Sequence, residues 1–169
     1  YDEVKEKDLI PQERLEFLYT KAYSLLEMKK YAEAKKIFNS LSNEKNEYSN
    51  VATYYSAYID YLQKNNKSAL NGFLKIEETE EYKDIVPYYI VQIYYEEKEY
   101  KKSLEHGKKM LESNPNNKNN SEVYRIMGEC AYRENVFNEA IVYFGKYEKL
   151  AKKLQRNSSY MYGMSFFQE

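Results

Sequence analysis

From Gln12 onward, apolar side chains recur every three to four residues and nowhere alternate in twos, so the chain reads as one helix after another without strands. Polar breaks interrupt the rhythm at Ser42 to Tyr48, Lys64 to Lys67, Thr79 to Lys83, Asn114 to Asn120 and Gln155 to Ser159, and they delimit helices of about three to four turns. Pro11 stands where a helix begins, its missing amide costing nothing there. Asn50, Asp84 and Ser121 are predicted N-caps, because their side chains can accept from the unpaired amides of a first turn. The clearest unit is Ser121 to Tyr147. It places Tyr124, Met127, Gly128 and Ala131 on one short helix, a polar turn at Arg133-Glu134-Asn135, and Phe137, Ala140 and Phe144 on a second. Small residues stand where the two helices must cross closely, with aromatics beside them. One such hairpin cannot bury its own apolar faces, so it needs neighbours.

The hairpin recurs. Aligned on Ala140, the equivalent positions are Ala34, Ala69 and Ser103, at intervals of 35, 34 and 37 residues. Four residues later stand Phe38, Phe73, Gly107 and Phe144; seven later, Leu41, Ile76, Met110 and Tyr147; twelve earlier, Ala22, Ala57, Val91 and Gly128. The widest interval contains the Asn114 to Asn120 loop. Two repeats depart from the pattern. The second has Asn66 in place of an aromatic and Asp60 on its buried face, which calls for a Tyr hydroxyl or a Lys as partner. The third has Ser103 and Gly107 where Ala and a large residue stand elsewhere, which predicts a looser helix crossing.

This spacing resembles the tetratricopeptide repeat, whose 34-residue motif runs W-x-x-L-G-x-x-Y, then A-x-x-x-F, then P. Ser121 to Leu150 fits best, and Pro115, twelve residues after Ser103, matches the closing proline. The resemblance implies an all-α fold, a right-handed superhelix of antiparallel helix hairpins. Four repeats are expected at 15–49, 50–83, 84–120 and 121–155, with a partial fifth at 156–169 and an N-terminal remnant or capping segment at 1–14. In such an array each repeat contacts mainly its neighbours. The C-terminal segment is apolar on nearly every side (Tyr160, Tyr162, Met164, Phe166, Phe167), with no second helix after it to pack on. The chain also opens at Tyr1 without Met, so it is expected to be a piece of a longer bacterial protein.

Composition narrows the chemistry. The 26 basic and 27 acidic side chains leave a net charge of −1, so no nucleic-acid footprint is expected. Cys130 is the only cysteine and His106 the only histidine, which excludes an intrachain disulfide and a Cys/His metal cluster. Cys130, beside Ala131, reads as a small core residue, and His106, among Lys102, Glu105 and Lys109, as a solvated one. No phosphate loop, nucleophile elbow or metal-ligand spacing occurs, so no catalytic residue, cofactor or metal is expected. No run approaches the roughly 18 apolar residues of a membrane span, and no signal peptide opens the chain. The expected setting is the bacterial periplasm or envelope, with the cytoplasm as the alternative.

Aromatic usage is what stands out: 21 Tyr and 7 Phe without a single Trp. On the first helices, beside the small crossing residues, a stripe at i, i+4, i+7 holds Tyr19-Tyr23-Leu26, Tyr54-Tyr58-Tyr61, Tyr88-Gln92-Tyr95 and Arg125-Glu129-Tyr132, with Arg133 following. The resemblance implies that this stripe lines a concave surface, here paved with tyrosines. Tyr and Arg dominate interface hot spots because they bury much area while losing few torsions. The expected function is a non-catalytic scaffold that binds a protein or peptide segment through these residues. The alternative is an assembly element that self-associates through Tyr160, Tyr162, Phe166 and Phe167. The structural counter-reading is that some of the stripe's rings only fill space between adjacent helices.

Overall fold

The expected helices form. The computed structural model describes residues 10–151 and 153–169, and among these there are nine helices and no strand. They are α1 (Pro11–Glu27), α2 (Tyr31–Ser42), α3 (Ser49–Leu62), α4 (Asn66–Phe73), α5 (Val86–Glu96), α6 (Tyr100–Ser113), α7 (Asn120–Arg133), α8 (Phe137–Leu150) and α9 (Arg156–Gln168). The N-terminal segment expected before Pro11 lies, up to residue 9, outside the described residues. The chain divides into two compact units, one reaching to Ile76 and the other running from Glu77 to Glu169.

All four hairpins (α1–α2, α3–α4, α5–α6 and α7–α8) turn in the same way. Just past the first helix, one residue takes a positive φ: Lys29 at 59°, Lys64 at 60°, Lys98 at 61° and Asn135 at 59°. Its amide donates to the carbonyl three residues back, on Leu26, Tyr61, Tyr95 and Tyr132 respectively. The next amide reaches five back, from Lys30 to Leu25, Asn65 to Asp60, Glu99 to Tyr94 and Val136 to Ala131. These two bonds satisfy helix-end carbonyls that would otherwise be orphaned, and they reverse the chain. Each turn residue precedes Ala34, Ala69, Ser103 or Ala140 by the same step, so the backbone repeats in the register that the side chains predicted.

In the first unit, α1 packs on α2, α2 on α3 and α3 on α4. The core gathers Ala22, Leu25, Leu26, Ala34, Phe38, Leu41, Ala52 and Ile59. At the α3–α4 crossing the helices nearly touch: a Cβ on Gly72 would lie 2.7 Å from that of Ala57. Asp60 is 3% exposed, and its partner is a lysine, Lys35 Nζ at 2.5 Å, with Asn65 Nδ2 donating at 3.4 Å. Burying a carboxylate without such a partner is expensive, which is why α2 brings a lysine to it.

In the second unit α5 packs on α6, α6 on α7, α7 on α8 and α8 on α9, while α7 also touches α5 and α9. Its core holds Met110, Val123, Met127, Ala131, Ala140, Phe144, Tyr147 and Met161, with Val91, Ile126 and Cys130 in a second cluster. Gly128 admits the Phe144 ring, whose nearest carbon would lie 2.6 Å from an added Cβ. The crossing in the third hairpin is not loose, contrary to the sequence reading. A Cβ on Gly107 would meet Met127 Sδ at 2.8 Å, so the thioether of the next helix fills the volume that Phe38, Phe73 and Phe144 fill elsewhere. Ser103 takes the small position, and its hydroxyl donates to Val91 O at 3.0 Å.

Several local expectations are corrected. Asn50, Asp84 and Ser121 do not cap helices; the cap positions are Tyr48, Ile85 and Asn119, none with a side-chain cap bond. Asparagines two residues ahead do the ordering instead: Asn46 Oδ1 accepts from Tyr48 N at 2.8 Å, and Asn117 Oδ1 from Asn119 N at 2.9 Å. Asp84 is held by that same loop, accepting from Asn114 Nδ2 at 2.7 Å on its carboxylate and from Asn117 Nδ2 at 2.6 Å on its carbonyl. Helix α4 ends at Phe73, earlier than the break at Thr79 predicted, because the amides of Lys75 and Ile76 bond three residues back and tighten the chain into turns. Helix α9 is not left without a helix to pack on: it lies against α7 and α8, burying Ser158, Met161 and Ser165.

Candidate functional site

The first-helix stripe behaves differently in the two units. In the first, it is aromatic and continuous with the core. Tyr19 stacks on Tyr48 at 5.2 Å between ring centroids and meets Phe38 edge-on at 6.4 Å. Tyr23 is 38% exposed and packs its edge on Tyr55 at 5.5 Å, while Tyr55 stacks on Phe38 at 5.3 Å. On α3, Tyr54 and Tyr58 lie parallel, 6.0 Å apart with 3° between planes, and Tyr61 follows one turn on with Lys64 over its ring at 5.5 Å. Tyr54, Tyr58 and Tyr61 are all half-buried. Tyr19 therefore serves the core as much as the surface, Tyr54, Tyr58 and Tyr61 are buried to a similar degree, and Tyr23 is the exposed ring of the set. Tyr48 and Tyr55 were not singled out from the sequence; the doublet Tyr54-Tyr55 was the available signal, since adjacent helix positions face about 100° apart and a doublet supplies both core and face.

In the second unit the stripe is a polar network. Gln92 Nε2 donates to the Tyr88 hydroxyl at 2.9 Å. Glu129, predicted as a surface carboxylate, is 1% exposed. Arg125 Nη1 donates to its Oε1 at 2.7 Å, the Ser158 hydroxyl of α9 donates to the same oxygen at 2.6 Å, and the Tyr95 hydroxyl donates to Oε2. Arg125 also grips Glu122 with two nitrogens, at 2.6 and 3.0 Å, and its guanidinium lies 5.9 Å above the Tyr95 ring. Burial and then the Glu129 carboxylate push the Tyr95 hydroxyl up to about 12. Burial pulls against the charge of Arg125, but the bonds and charges of Glu122 and Glu129 outweigh it and raise the guanidinium above its ordinary value. Tyr132 meets Phe137 edge-on at 5.7 Å, and Arg133, exposed, lies over Tyr100 at 5.9 Å.

The remaining chemistry-bearing residues fall into structural roles. Burial pushes the Cys130 thiol up to about 11, which makes it a poor nucleophile at neutral pH. His106 is less solvated than its neighbours in sequence implied: its ring lies 5.2 Å from that of Tyr94, and Nδ1 is 3.7 Å from Glu77. Beside it a cleft of about 200 Å³ runs between α6 and the 77–87 segment, edged by the Lys109 to Glu78 ion pair at 2.7 Å. Among the described residues, no group of three His, Cys, Asp or Glu side chains could hold a metal ion, and no helix is long and apolar enough to cross a membrane.

On α9, Tyr162 rests on Phe144 at 5.7 Å and on Phe166 at 5.3 Å, so of the four residues predicted for self-association this one is committed to its own unit. Tyr160, Phe166 and Phe167 remain 63%, 59% and 84% exposed.

No family model and no curated protein sequence matches the chain. Solved structures do. A tetratricopeptide repeat protein from Parabacteroides merdae ATCC 43184 superposes with a TM-score of 0.75 at 15% identity over 91% of this chain. The chain spans only 59% of that protein's length. YrrB, a TPR protein with an unusual peptide-binding site, gives 0.73 at 16% identity, covering 89% of this chain and 75% of YrrB. The MamA RS-1 ArsTM double mutant gives 0.76 at 12% identity, covering 91% and 89% respectively. With this likeness and the four identical hairpin turns, the chain has the all-α tetratricopeptide-repeat fold.

Proposed function

We propose that the chain is a non-catalytic protein-interaction module that holds a peptide or protein segment against the tyrosine-bearing face of its first helices. The observation that carries this reading is the aromatic face of the first unit, where the partly exposed rings of Tyr23 and Tyr58 are supported by Tyr19, Tyr54 and Tyr55, and half-buried Tyr61 follows one turn on under Lys64. Rings braced from behind lose little further freedom on contact, so they suit a binding surface. YrrB, of similar fold, is a protein with a peptide-binding site. In the second unit Tyr88, Gln92, Tyr95, Arg125, Tyr132 and Arg133 give the corresponding helices a more polar character. There Glu129 acts from beneath, as the carboxylate that sets Arg125 and Tyr95.

The test is to select binders from a random peptide library with the intact chain and to repeat the measurement on Tyr23→Ala, Tyr58→Ala and Tyr61→Ala. Affinity should fall about tenfold or more for at least one of them, the loss typical of a hot-spot aromatic, with the helical circular dichroism retained. Binders that hold equally well to all three variants would sink the reading.

A second reading, association of copies through α9, is favoured by the exposure of Tyr160, Phe166 and Phe167 on one helix. Sedimentation equilibrium decides it. A dimer that Phe166→Asp and Phe167→Asp dissociate supports self-association, and a monomer at every concentration removes it.

A further inference from the structure

Helix α3 has a second face that the tyrosine surface does not use. Tyr54, Tyr58 and Tyr61 share one side; Thr53, Ser56 and Asp60, also at helical spacing, lie roughly half a turn away around the same helix. That side forms the floor of a pocket of about 390 Å³ whose walls are α2 and the α4 segment. Each wall contributes a stripe of its own at one-turn spacing, Lys35-Asn39-Ser42 from α2 and Ser68-Asn71-Lys75 from α4 and its C-terminal turn. Gly72 and Ala57, packed at the distance given above, close the pocket between floor and wall. A trough between three helices is normally where apolar side chains meet. Here the side chains lining it are hydroxyls, amides and charges.

Their hydrogen bonds show what is committed and what is left. Lys35 is spent on Asp60. The Ser56 hydroxyl donates to Asn39 Oδ1 at 2.6 Å, which fixes the orientation of that amide and leaves Asn39 Nδ2 without an acceptor among the described residues. Thr53 and Ser42 donate to backbone carbonyls of their own helices, at 2.8 and 3.1 Å. The side chain of Asn71, on the opposite wall, makes no hydrogen bond and Lys75 no ion pair among the described residues. With Lys35 and Asp60 cancelling, the pocket carries one uncompensated positive charge, at the Lys75 end.

We propose that this pocket binds a short extended stretch of another polypeptide carrying an acidic side chain. The amides of Asn39 and Asn71 are its backbone grips, and Lys75 pairs with its carboxylate. Side-chain amides offer both donor and acceptor, as a peptide group requires, and a pre-oriented amide loses little on binding. From Lys35 to Ser42 the trough runs about 10 Å, the reach of about three extended residues. The absence of a lining aromatic disfavours a sugar or a nucleobase, which would stack, and the polar walls disfavour an apolar small molecule. The site is separate from the tyrosine face, so a partner could hold the first unit from two sides.

The test uses the full chain labelled with nitrogen-15 and two acetylated, amidated tetrapeptides, Gly-Asp-Gly-Ser and Gly-Asn-Gly-Ser. The Asp peptide should shift the side-chain amide resonances of Asn39 and Asn71 with a dissociation constant of about a millimolar, the range for so small a contact. The Asn peptide should bind about threefold more weakly, the worth of one exposed ion pair. Lys75→Met should erase that difference while leaving the rest of the spectrum in place. No shift at Asn39 or Asn71, equal binding of the two peptides, or a preference that survives in Lys75→Met would each overturn the proposal. So would sodium acetate matching the Asp peptide, because the peptide backbone would then contribute nothing.

Discussion

Lys29, Lys64 and Lys98 occupy left-handed backbone, where a Cβ crowds the following carbonyl and glycine is the usual tenant. Each turn therefore stores strain that a substitution can release. Replacing any one of these lysines with Gly should raise the unfolding free energy by about 1 kcal/mol in urea titrations, and Asn135→Gly by less, because Asn tolerates this region better. Tyr95 makes a prediction of opposite sign in pH. Its folded pKa, about 12, stands above the ordinary tyrosine value of 10.0. Below that ordinary value both folded and unfolded chains keep the proton, and pH has no purchase through this group. Between the two values the unfolded chain releases the proton and the folded chain retains it, so stability falls as pH rises. The fall from pH 10 to 12, measured by chemical denaturation, should be shallower in Tyr95→Phe. Neither residue's situation was legible in the sequence. A lysine carries no mark of its φ, and Glu129 looked like a surface carboxylate until α9 was seen to bring Ser158 over it.

At the scale of the element, the sequence disclosed the hairpin register fully and the helix ends only in part. Small and aromatic residues fixed the crossings because close packing leaves them no alternative. Asn50, Asp84 and Ser121 misled because capping depends on which residue first leaves helical geometry, and here the asparagine turns upstream decide that. The third hairpin was misread for a related reason: Gly107 looked like a void when only its own pair of helices was considered. Met127→Ala should empty that site and cost about 2 to 5 kcal/mol. Gly107→Phe alone should be destabilising by overpacking. The two changes together should recover much of the loss, since the ring would take the volume that it takes in the other hairpins. A double-mutant cycle from thermal melts checks this, and additive losses would contradict the packing described.

At the scale of the whole molecule, each unit has its own core, and in helical arrays stability is carried from neighbour to neighbour. Phe38→Ala, which hollows the first core, should cost about 3 to 5 kcal/mol locally. In native-state hydrogen exchange the amides of α1 to α3 should lose protection while those of α7 and α8 keep theirs. Uniform loss along the chain would mean a single cooperative block. The sequence conveyed that the molecule is an array and which helix faces bear tyrosines. It did not convey that in one unit these rings form a braced surface and in the other a hydrogen-bonded network, because that distinction depends on what the adjoining helix lays against them. The loan of Met127 to the space above Gly107 has a consequence for the order of the array. A repeat whose interior is completed by the next is not a freely movable module. Followed by a hairpin with Lys21 or Ser56 at the place of Met127, α5–α6 would carry a vacancy with it, whereas Ile90 at that place would fill part of it, so the order of the repeats is constrained at that junction even though all four share one backbone.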